Sequence, residues 1–313
     1  MNKETTAFLF PGQGSQSIGM GKDLYQTFPA AKEVFETVDE ALHQNLSALM
    51  FEGDIGELTQ TQNAQPAIMA VSMALIRVLQ AQGFPLAAQA ALVAGHSLGE
   101  YTALCATGTL DIVQTAQLLK RRGQAMAEAG QTEAGGMMAV LGLEFDAVQK
   151  IATDAGCYVA NDNGGGQWVL SGSLASLATA KMRAEEAGAK RVIPLPVAGA
   201  FHSPLMQSAQ EKMKEVLTEV AFKQPSVPIV ANVTAKAETG NFNDLLIRQI
   251  VAPVRWRESI LYMRDQGIIH FVECGPGSVL SGLVRRILPD STQSHINDMA
   301  SLQAFLESDQ KNT

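Results

Sequence analysis

The sequence of 313 residues predicts an α/β fold with a second, smaller unit inserted into it. Apolar runs such as TAFLF and ALVAG alternate with long helical patterns, which is the order found around a parallel sheet. From Gly136 the order becomes strand, helix, strand, strand, helix, strand, as in a ferredoxin-like βαββαβ unit. The 46% apolar composition can supply a large core. We therefore assign residues 1–131 and 199–313 to a large domain and residues 132–198 to an inserted domain.

The first part of the large domain is predicted from its apolar segments. TAFLF predicts a strand that ends in the Gly-rich loop PGQGSQ. IMAVSMALIRVLQAQG has helical spacing, ALVAG predicts the next strand, and LGEYTALCA predicts the helix after it. The loop PGQGSQ lacks the Lys-Ser/Thr ending of a P-loop and the spacing of a dinucleotide fingerprint, which argues against a phosphate cradle.

The inserted domain and the rest of the chain follow in the same way. Its strands are predicted at MMAVLGL, CYVAND, QWVLSG and KRVIPLPV, and its helices at EFDAVQKIATDAG and SLASLATAKMRAEEAG. The chain returns to the large domain with the helix FHSPLMQSAQEKMKEVL, where Ser203 is expected to cap and Pro204 to occupy the first turn. VPIVANV and IIHFVECG complete the large sheet, and Gly275-Pro276-Gly277 predicts a tight turn.

Charge and composition exclude several classes of protein. A net charge of -8 without a long basic run argues against nucleic-acid binding. No run approaches the roughly 20 apolar residues of a membrane span, and the first apolar run is too short for a signal peptide, so we expect a cytoplasmic protein with no membrane partner. Cys105, Cys157 and Cys274 show neither a metal-ligand pattern nor a disulfide framework, and we expect them to be reduced and buried. We expect no metal and no cofactor, and a monomer.

The segment VAGHSLGEY places Ser97 between Gly95 and Gly99. Gly-x-Ser-x-Gly after a buried strand and before a helix is the nucleophile-elbow pattern, in which a strained turn exposes the serine hydroxyl. The apolar run before Ser97 and the helical pattern after it provide that context. The sequence therefore predicts an α/β-hydrolase-like large domain with Ser97 as its nucleophile.

A serine nucleophile needs a base, and the chain has five histidines. Triad bases come from distant chain segments, so His96, adjacent to Ser97, is expected to be structural. His43 in a helix, His270 in a strand and His295 in the C-terminal tail are expected to have no catalytic role. His202 lies in a loop directly before a helix, whose positive end would keep the imidazole neutral and able to accept a proton. It is either the base or a packed histidine.

No acid completes a triad by sequence pattern. The acids between Ser97 and His202, such as Asp111, Asp146 and Asp162, start helices or lie in loops, where capping explains them. This absence weakens the interpretation as an esterase.

Six segments occur in an order that resembles malonyl-CoA:acyl carrier protein transacylases. They are FPGQGSQ, GHSLGEY, KRRGQAM, GAFHSPLM, RQIVAPVRW and FVECGPGSVL, which span nearly the whole chain. The resemblance is to the free-standing enzyme of type II fatty acid synthesis. It implies transfer of a malonyl group from malonyl-CoA to the phosphopantetheine thiol of acyl carrier protein, so both are expected partners. The alternatives are a serine hydrolase or thioesterase of related fold and a non-catalytic module that binds carrier protein.

The resemblance also implies roles for individual residues. Ser97 is the acylated nucleophile and His202 its base, oriented by the main-chain carbonyl of Gln249 in place of an acid. The backbone NH groups of Gln13 and Leu98 form the oxyanion hole, whose donors each contribute about 3 kcal/mol to lowering a barrier. The ending Ala200-Phe201-His202 resembles the sequence associated with malonyl rather than methylmalonyl selection.

Substrate choice is expected to depend on the helix TLDIVQTAQLLKRRGQAM. Its apolar residues recur at helical spacing, and on that wheel Arg121 points away from the buried face while Arg122 lies at its margin. A guanidinium binds a carboxylate with two parallel hydrogen bonds, and a carboxylate is what distinguishes malonyl from acetyl. The family resemblance places the carboxylate-binding arginine at Arg122.

Two further features carry open alternatives. In the loop ANDNGGGQWVLSG, Asn161, Asn163 and Gln167 are either substrate hydrogen-bonding groups or part of a polar turn, and Gly164–Gly166 stand where relatives often have proline. Acyl carrier proteins are acidic and need a basic surface, for which Lys190 with Arg191 and Arg285 with Arg286 are candidates. Each pair is otherwise an ordinary solvated charge.

Overall fold

The computed structural model describes residues 2–132, 134–197 and 199–310. Two sheets lie within these residues, one of six strands and one of four. The strands are β1 Thr6–Phe10, β2 Leu92–Gly95, β3 Gly135–Leu141, β4 Tyr158–Asp162, β5 Gln167–Ser173, β6 Arg191–Pro194, β7 Ile229–Val230, β8 Ala237–Glu238, β9 His270–Cys274 and β10 Thr292–Ile296.

Helices surround both sheets. They are α1 Lys22–Thr27, α2 Pro29–Leu42, α3 Leu46–Glu52, α4 Ile55–Thr59, α5 Thr61–Ala81, α6 Leu86–Gln89, α7 Leu98–Ala106, α8 Ile112–Thr132, α9 Phe145–Ala155, α10 Leu174–Glu186, α11 Gln207–Thr218, α12 Phe242–Gln249, α13 Trp256–Asp265, α14 Val279–Ile287 and α15 Met299–Gln310, with short 3₁₀ helices at Lys3–Thr5 and Pro204–Met206.

The large sheet has the strand order β10-β9-β1-β2-β7-β8 and is parallel except for β8. Its central strand β1 is buried at all five positions, because helices cover both faces and each face needs apolar side chains. The carboxyl ends of β1 and β2 meet at one edge, since Phe10 pairs with Gly95. In parallel sheets with helices on both faces, binding sites lie at that edge.

The second sheet is antiparallel, with the order β4-β5-β3-β6, and α9 and α10 pack on it. It has its own apolar cluster, which includes Val140, Trp168 and Leu170. The predicted α/β class with a separate antiparallel sheet is confirmed. The domain boundaries at residues 131/132 and 198/199 remain a prediction, and Glu133 and Ala198 lie outside the described residues.

The edge strand β4 of the second sheet is hydrogen-bonded to Val254, which lies between α12 and α13. The amide of Val254 donates to Ala160 O at 2.8 Å, and its carbonyl accepts from Asp162 N at 3.0 Å. Beside this bridge, the carboxylate of Asp162 accepts from Arg257 Nε and Nη2, at 2.9 and 2.8 Å. Because β4 is an edge strand, these bonds satisfy backbone groups that the second sheet leaves unpaired.

Three details differ from the sequence-based expectations. His295 lies in the edge strand β10, because the apparent tail pairs with β9. Ser203 does not cap the following helix through its hydroxyl, which donates instead to Ala200 O at 2.5 Å. The helix α5 is long and apolar enough to cross a membrane, but most of its apolar stretch is buried inside the protein. We interpret α5 as a core helix.

Candidate active site

Ser97 occupies the turn between β2 and α7 in a strained conformation, with φ 53° and ψ -108°. Its two glycine neighbours are required by close approach of the backbone. A Cβ at Gly95 would lie 1.9 Å from the Gly99 carbonyl oxygen, and a Cβ at Gly99 would lie 2.2 Å from Phe10 O. The nucleophile-elbow geometry therefore explains both glycines of the motif.

Asn232, which follows β7, holds this turn from the neighbouring strand. Its Oδ1 accepts from Ser97 N at 2.8 Å, and its Nδ2 donates to Gly95 O at 2.7 Å. These bonds satisfy the backbone groups on both sides of His96 and oppose relaxation of the strained serine. Sequence reasoning missed Asn232, although a polar residue at the carboxyl end of a strand beside β2 was the available signal.

His202 is placed to accept the proton of Ser97. The Ser97 Oγ to His202 Nε2 distance is 2.7 Å, and His202 Nδ1 donates to the main-chain oxygen of Gln249 at 2.9 Å. Because Nδ1 carries the hydrogen in this bond, Nε2 is left as the acceptor. His202 has φ 56° and is 5% exposed, so its ring is held in one place by the surrounding structure.

The carbonyl of Gln249 is available because of the residue four positions later. Gln249 ends α12, where the last carbonyl groups have no partner inside the helix. Residue 253 is proline, which has no N–H to donate to Gln249 O. The sequence RQIVAP thus contains a local reason for the free acceptor that orients His202.

The neutral state of His202 has a different cause from the one expected. Burial, followed by the positive charge of Arg122, lowers the pKa of His202 to about 3. The segment after His202, whose positive end is the cause expected from the sequence, begins as the short 3₁₀ turn Pro204–Met206. The expected neutral imidazole agrees with this pKa, but desolvation and a neighbouring cation account for it.

Arg122 reaches the same serine from α8. It is 1% exposed, and its Nη2 donates to Ser97 Oγ at 3.0 Å and to Gln249 Oε1 at 2.9 Å. Its Nη1 donates to Gln65 Oε1 at 2.7 Å. The helix can approach α5 this closely because Gly123 leaves no room for a side chain, its Cβ position being 2.4 Å from Gln62 Cα. Arg121 is exposed, as the helical wheel predicts.

A polar chain supports Arg122 and was missed by sequence reasoning. Gln65 Nε2 donates to Thr61 Oγ1 at 2.8 Å, and Thr61 Oγ1 donates to Gln13 Oε1 at 3.0 Å. Gln13 thereby has its side chain fixed through Thr61 and Gln65 to the guanidinium. The residues that were missed, Thr61 and Gln65, lie at the start of an apolar helix pattern, and nothing in their spacing distinguishes them from core residues.

A cavity of about 160 Å³ opens in front of Ser97. Polar and catalytic candidates line one side and apolar side chains the other. The lining includes Gln13, His96, Ser97, Leu98, Arg122, Met126, Met137, Asn161, Phe201 and His202. Within the described parts of the chain, the backbone NH groups of Gln13 and Leu98 have no hydrogen-bond acceptor.

His96 lines the cavity, but its ring nitrogen Nε2 is hydrogen-bonded to Asn163. Its Nε2 lies 3.0 Å from Asn163 Oδ1, and its ring packs against Trp256 with centroids 5.4 Å apart. Burial lowers the pKa of His96 to about 4. The arrangement matches the expected structural role, because the hydrogen bond runs to Asn163 and not to Ser97.

The polar loop after β4 divides into different environments. Asn163 is 5% exposed, bonds His96 and is not among the residues lining the cavity. Asn161 does line it, and its buried Oδ1 has no partner among the described residues. Gln167 Oε1 accepts from Arg286. Of the three candidates in this loop, Asn161 is therefore the one placed to meet a ligand.

The acids considered for a triad lie elsewhere. Asp111 accepts from Gln114 N at 2.7 Å at the start of α8, and Asp162 pairs with Arg257. Asp146 lies in the first turn of α9. The carbonyl of Gln249 occupies the position next to His202 Nδ1 that an acid would take in a triad.

The chain is similar to known proteins over almost its full length. Residues 7–307 match the family described as acyl transferase domain. A malonyl CoA-acyl carrier protein transacylase of Bacillus subtilis is 46% identical, with 90% of each chain covered, and one of Escherichia coli is 40% identical, with 96% of this chain and 98% of the relative covered.

Solved structures agree with these relatives. An acyl-carrier-protein-S-malonyltransferase from Bartonella henselae has a TM-score of 0.93 at 46% identity and covers 97% of this chain and 98% of its own. A malonyl-transacylase solved in complex with its type II PKS acyl-carrier protein has a TM-score of 0.93 at 38% identity, with 97% of this chain and 99% of that chain covered.

Proposed function

Because the chain belongs to the acyl transferase domain family, we propose that it transfers a malonyl group from malonyl-CoA to the phosphopantetheine thiol of acyl carrier protein. The observation that carries this proposal is the position of Ser97 Oγ, which lies 2.7 Å from His202 Nε2 and 3.0 Å from Arg122 Nη2. A nucleophile, its base and a carboxylate-binding cation thus meet at one atom.

The first half-reaction forms an ester on Ser97. Arg122 donates to Ser97 Oγ, which directs the hydroxyl hydrogen towards His202 Nε2. His202 accepts that proton as Oγ attacks the thioester carbonyl, and the Gln249 carbonyl stabilises the resulting imidazolium through Nδ1–H. The oxyanion that forms is bound by the free NH groups of Gln13 and Leu98. CoA then leaves with the proton from His202.

The second half-reaction reverses these roles with a different thiol. His202 accepts the proton of the phosphopantetheine thiol, whose sulfur attacks the malonyl ester. The same two NH groups bind the second oxyanion, and collapse of that intermediate returns the proton to Ser97 Oγ. In both half-reactions, His202 accepts the proton from the attacking group and donates it to the leaving group.

Arg122 selects the acyl group. Its hydrogen bonds use three of its five N–H donors, one on Nη1 and two on Nη2. The Nε hydrogen is buried and has no hydrogen-bond acceptor among the described residues, where Nη1 bonds only Gln65 and the guanidinium carbon lies 5.5 Å from the ring centroid of Tyr101. A malonyl carboxylate can accept from such donors, whereas an acetyl group leaves them unpaired.

Detection of the acyl-enzyme by mass spectrometry tests this proposal. Mixing the protein with malonyl-CoA should add one malonyl group to Ser97, and acyl carrier protein should remove it as malonyl-carrier. Ser97→Ala should abolish both the adduct and the transfer. Steady release of malonate without carrier protein would instead identify a hydrolase, and carrier binding without any adduct would identify a binding module. An adduct on another residue would contradict the role of Ser97.

The carrier protein docks on a basic surface that contains both pairs found in the sequence. Lys190, Arg191, Arg285 and Arg286 are exposed, and none forms an ion pair with another described residue. Arg286 donates to Gln167, and a side chain at Gly142, whose N donates to Gly166 O, would collide with Lys190. The two pairs therefore flank the Gly164–Gly166 turn.

Charge reversal tests the docking surface. Lys190→Glu or Arg286→Glu should raise the KM for acyl carrier protein by a larger factor than it slows acylation by malonyl-CoA. High salt should reduce the difference from the unmodified protein. An unchanged carrier KM in both variants would place the docking surface elsewhere. We also propose that the protein is a monomer, which size-exclusion chromatography with light scattering can check. Its proposed location is the cytoplasm.

A further inference from the structure

Glu100 is a buried carboxyl group that the proposed mechanism does not use. It is 1% exposed on α7, and its Oε2 accepts from Asn232 N at 3.0 Å and from Gln249 Nε2 at 2.8 Å. Its other oxygen, Oε1, has no hydrogen-bond partner among the described residues. A buried carboxyl with one unpaired oxygen destabilises a protein, so its presence beside Ser97 calls for a functional reason.

The contacts of Glu100 determine which way the Gln249 amide points. Gln249 Nε2 donates to Glu100 Oε2 and to Ser97 O, at 2.8 and 3.0 Å. With both hydrogens used there, Oε1 is left to accept from Arg122 Nη2 at 2.9 Å. Because Oε2 already accepts from two N–H donors, it acts as an acceptor whether or not Oε1 carries a proton, and it excludes the flipped amide, which would turn an oxygen towards Oε2 and an N–H group towards the guanidinium.

Gln249 therefore acts at two places. Its main-chain carbonyl orients His202, and its side-chain amide links Glu100 to Arg122. No direct ion pair joins Glu100 and Arg122 among the described residues, so the carboxylate interacts with the guanidinium through this amide and through longer-range electrostatic attraction. This leaves Arg122 free of a carboxylate partner of its own in the resting site.

We infer that Glu100 is a positioning residue for substrate selection, which holds the guanidinium of Arg122 through the side chain of Gln249 while leaving its remaining donors open for an acyl-group carboxylate. The inference rests on the proposed role of Arg122. Burial raises the pKa of Glu100 to about 7, which is the cost expected for a carboxyl kept in this place. An acid bonded directly to Arg122 would compete with the substrate's carboxylate, whereas an acid one amide away does not.

The link that runs from Glu100 through the Gln249 amide to Arg122, called the relay below, can be broken without removing the main-chain carbonyl that orients His202. Gln249→Met removes the side-chain amide but keeps the main-chain carbonyl. We expect the ratio of kcat/KM for malonyl-CoA to that for acetyl-CoA to fall by about tenfold or more, with a smaller change for acetyl-CoA itself. Glu100→Gln keeps one acceptor for Gln249 but loses the charge, and should lower the same ratio by a smaller factor.

Asn232→Ala provides the matched control. Its lost side chain holds the Ser97 turn but does not contact Arg122, so acylation by both substrates should slow by a similar factor and the ratio should stay unchanged. Thermal unfolding of each variant establishes that it is folded, and Glu100→Gln carries the test if Gln249→Met does not fold.

The possible outcomes separate this inference from the proposed function. A proportional loss for malonyl-CoA and acetyl-CoA in Gln249→Met would assign the amide to packing and overturn the inference. The same holds for an unchanged ratio in Glu100→Gln. If Arg122→Ala itself left the preference for malonyl intact, the carboxylate-binding role of Arg122 would be wrong. A lower ratio in Arg122→Ala with unchanged ratios in the other two variants would reject only the relay.

Discussion

Replacement of Arg122 by alanine should change which acyl group the protein prefers. The guanidinium is 1% exposed and has two N–H donors left after those given to Gln65, Gln249 and Ser97. Acylation of Ser97 also frees the Nη2–H group of Arg122 that donates a hydrogen bond to Ser97 Oγ in the resting site. A malonyl carboxylate can therefore gain at least two charge-assisted hydrogen bonds, and Arg122→Ala removes them.

The magnitude follows from those bonds. Hydrogen bonds to charged groups contribute about 1.5–3 kcal/mol each, so two give about 3–6 kcal/mol. Water that enters the space left by the side chain recovers part of this. A net loss of about 3 kcal/mol corresponds to roughly two powers of ten in kcat/KM for malonyl-CoA. Acetyl-CoA loses only the support of Ser97 Oγ, so acetyl transfer should rise relative to malonyl transfer.

A competition assay measures this ratio directly. The protein is mixed with equal concentrations of malonyl-CoA and acetyl-CoA, and the two acyl-enzymes are quantified by intact mass at early times. Arg121→Ala on the same helix is the control, because that side chain is exposed and should leave the ratio unchanged. An unchanged malonyl preference in Arg122→Ala would refute the reasoning and leave a general acyltransferase.

Three further predictions concern ionisable groups. His202→Ala should slow acylation by roughly two to four orders of magnitude, and His96→Ala far less; the reverse ranking in single-turnover measurements would make His96 the base. Because the pKa of His202 is lowered to about 3, acylation by acetyl-CoA should show no loss around pH 6.5, and a titration there would contradict a neutral buried base. The pKa of Glu100 is raised to about 7, so between about pH 4.5 and 7 the folded state holds a proton that the unfolded state has lost, and stability falls as pH rises. The change in the free energy of unfolding caused by Glu100→Gln should therefore be more favourable at pH 8 than at pH 5, by on the order of 2–3 kcal/mol, in urea titrations; an equal change at both would refute it.

Local patterns were enough to predict much of the fold and the centre of the site. The α/β class and the family are confirmed. The Gly-x-Ser-x-Gly pattern worked because both glycines are required sterically: a Cβ at Gly95 would collide with Gly99 in the same turn, and a Cβ at Gly99 would collide with Phe10 O at the end of β1. The motif resemblance named Ser97, His202, Arg122 and Gln249, which the structure brings together, although their roles remain predictions.

The residues that sequence reasoning missed are brought to the site by tertiary contacts between segments far apart in the sequence. Asn232, Gln65 and Glu100 reach the site from separate elements, and each would pass for an ordinary polar or core residue in a helix or after a strand. The hydrogen bond between Asn163 and His96 is also a tertiary contact, which the spacing of residues in the sequence cannot predict. The neutral state of His202 was expected from a helix end, but burial and a cation decide it, and both depend on the assembled fold.

The bridge at Val254 has a consequence for any attempt to reduce this protein to a minimal catalyst. The short stretch from Gln249 to Val254 supplies the carbonyl for His202 at one end and bonds β4 at the other. Excision of residues 135–194, which carry the whole second sheet, would leave Val254 without that partner and Arg257 without Asp162. The stretch would then lose one of its two anchors, and we expect the alignment of the His202 ring to be lost with it. The segment that carries the second sheet thus contributes to holding the carbonyl of Gln249 beside His202, and the two sheets have to be kept or redesigned as one unit.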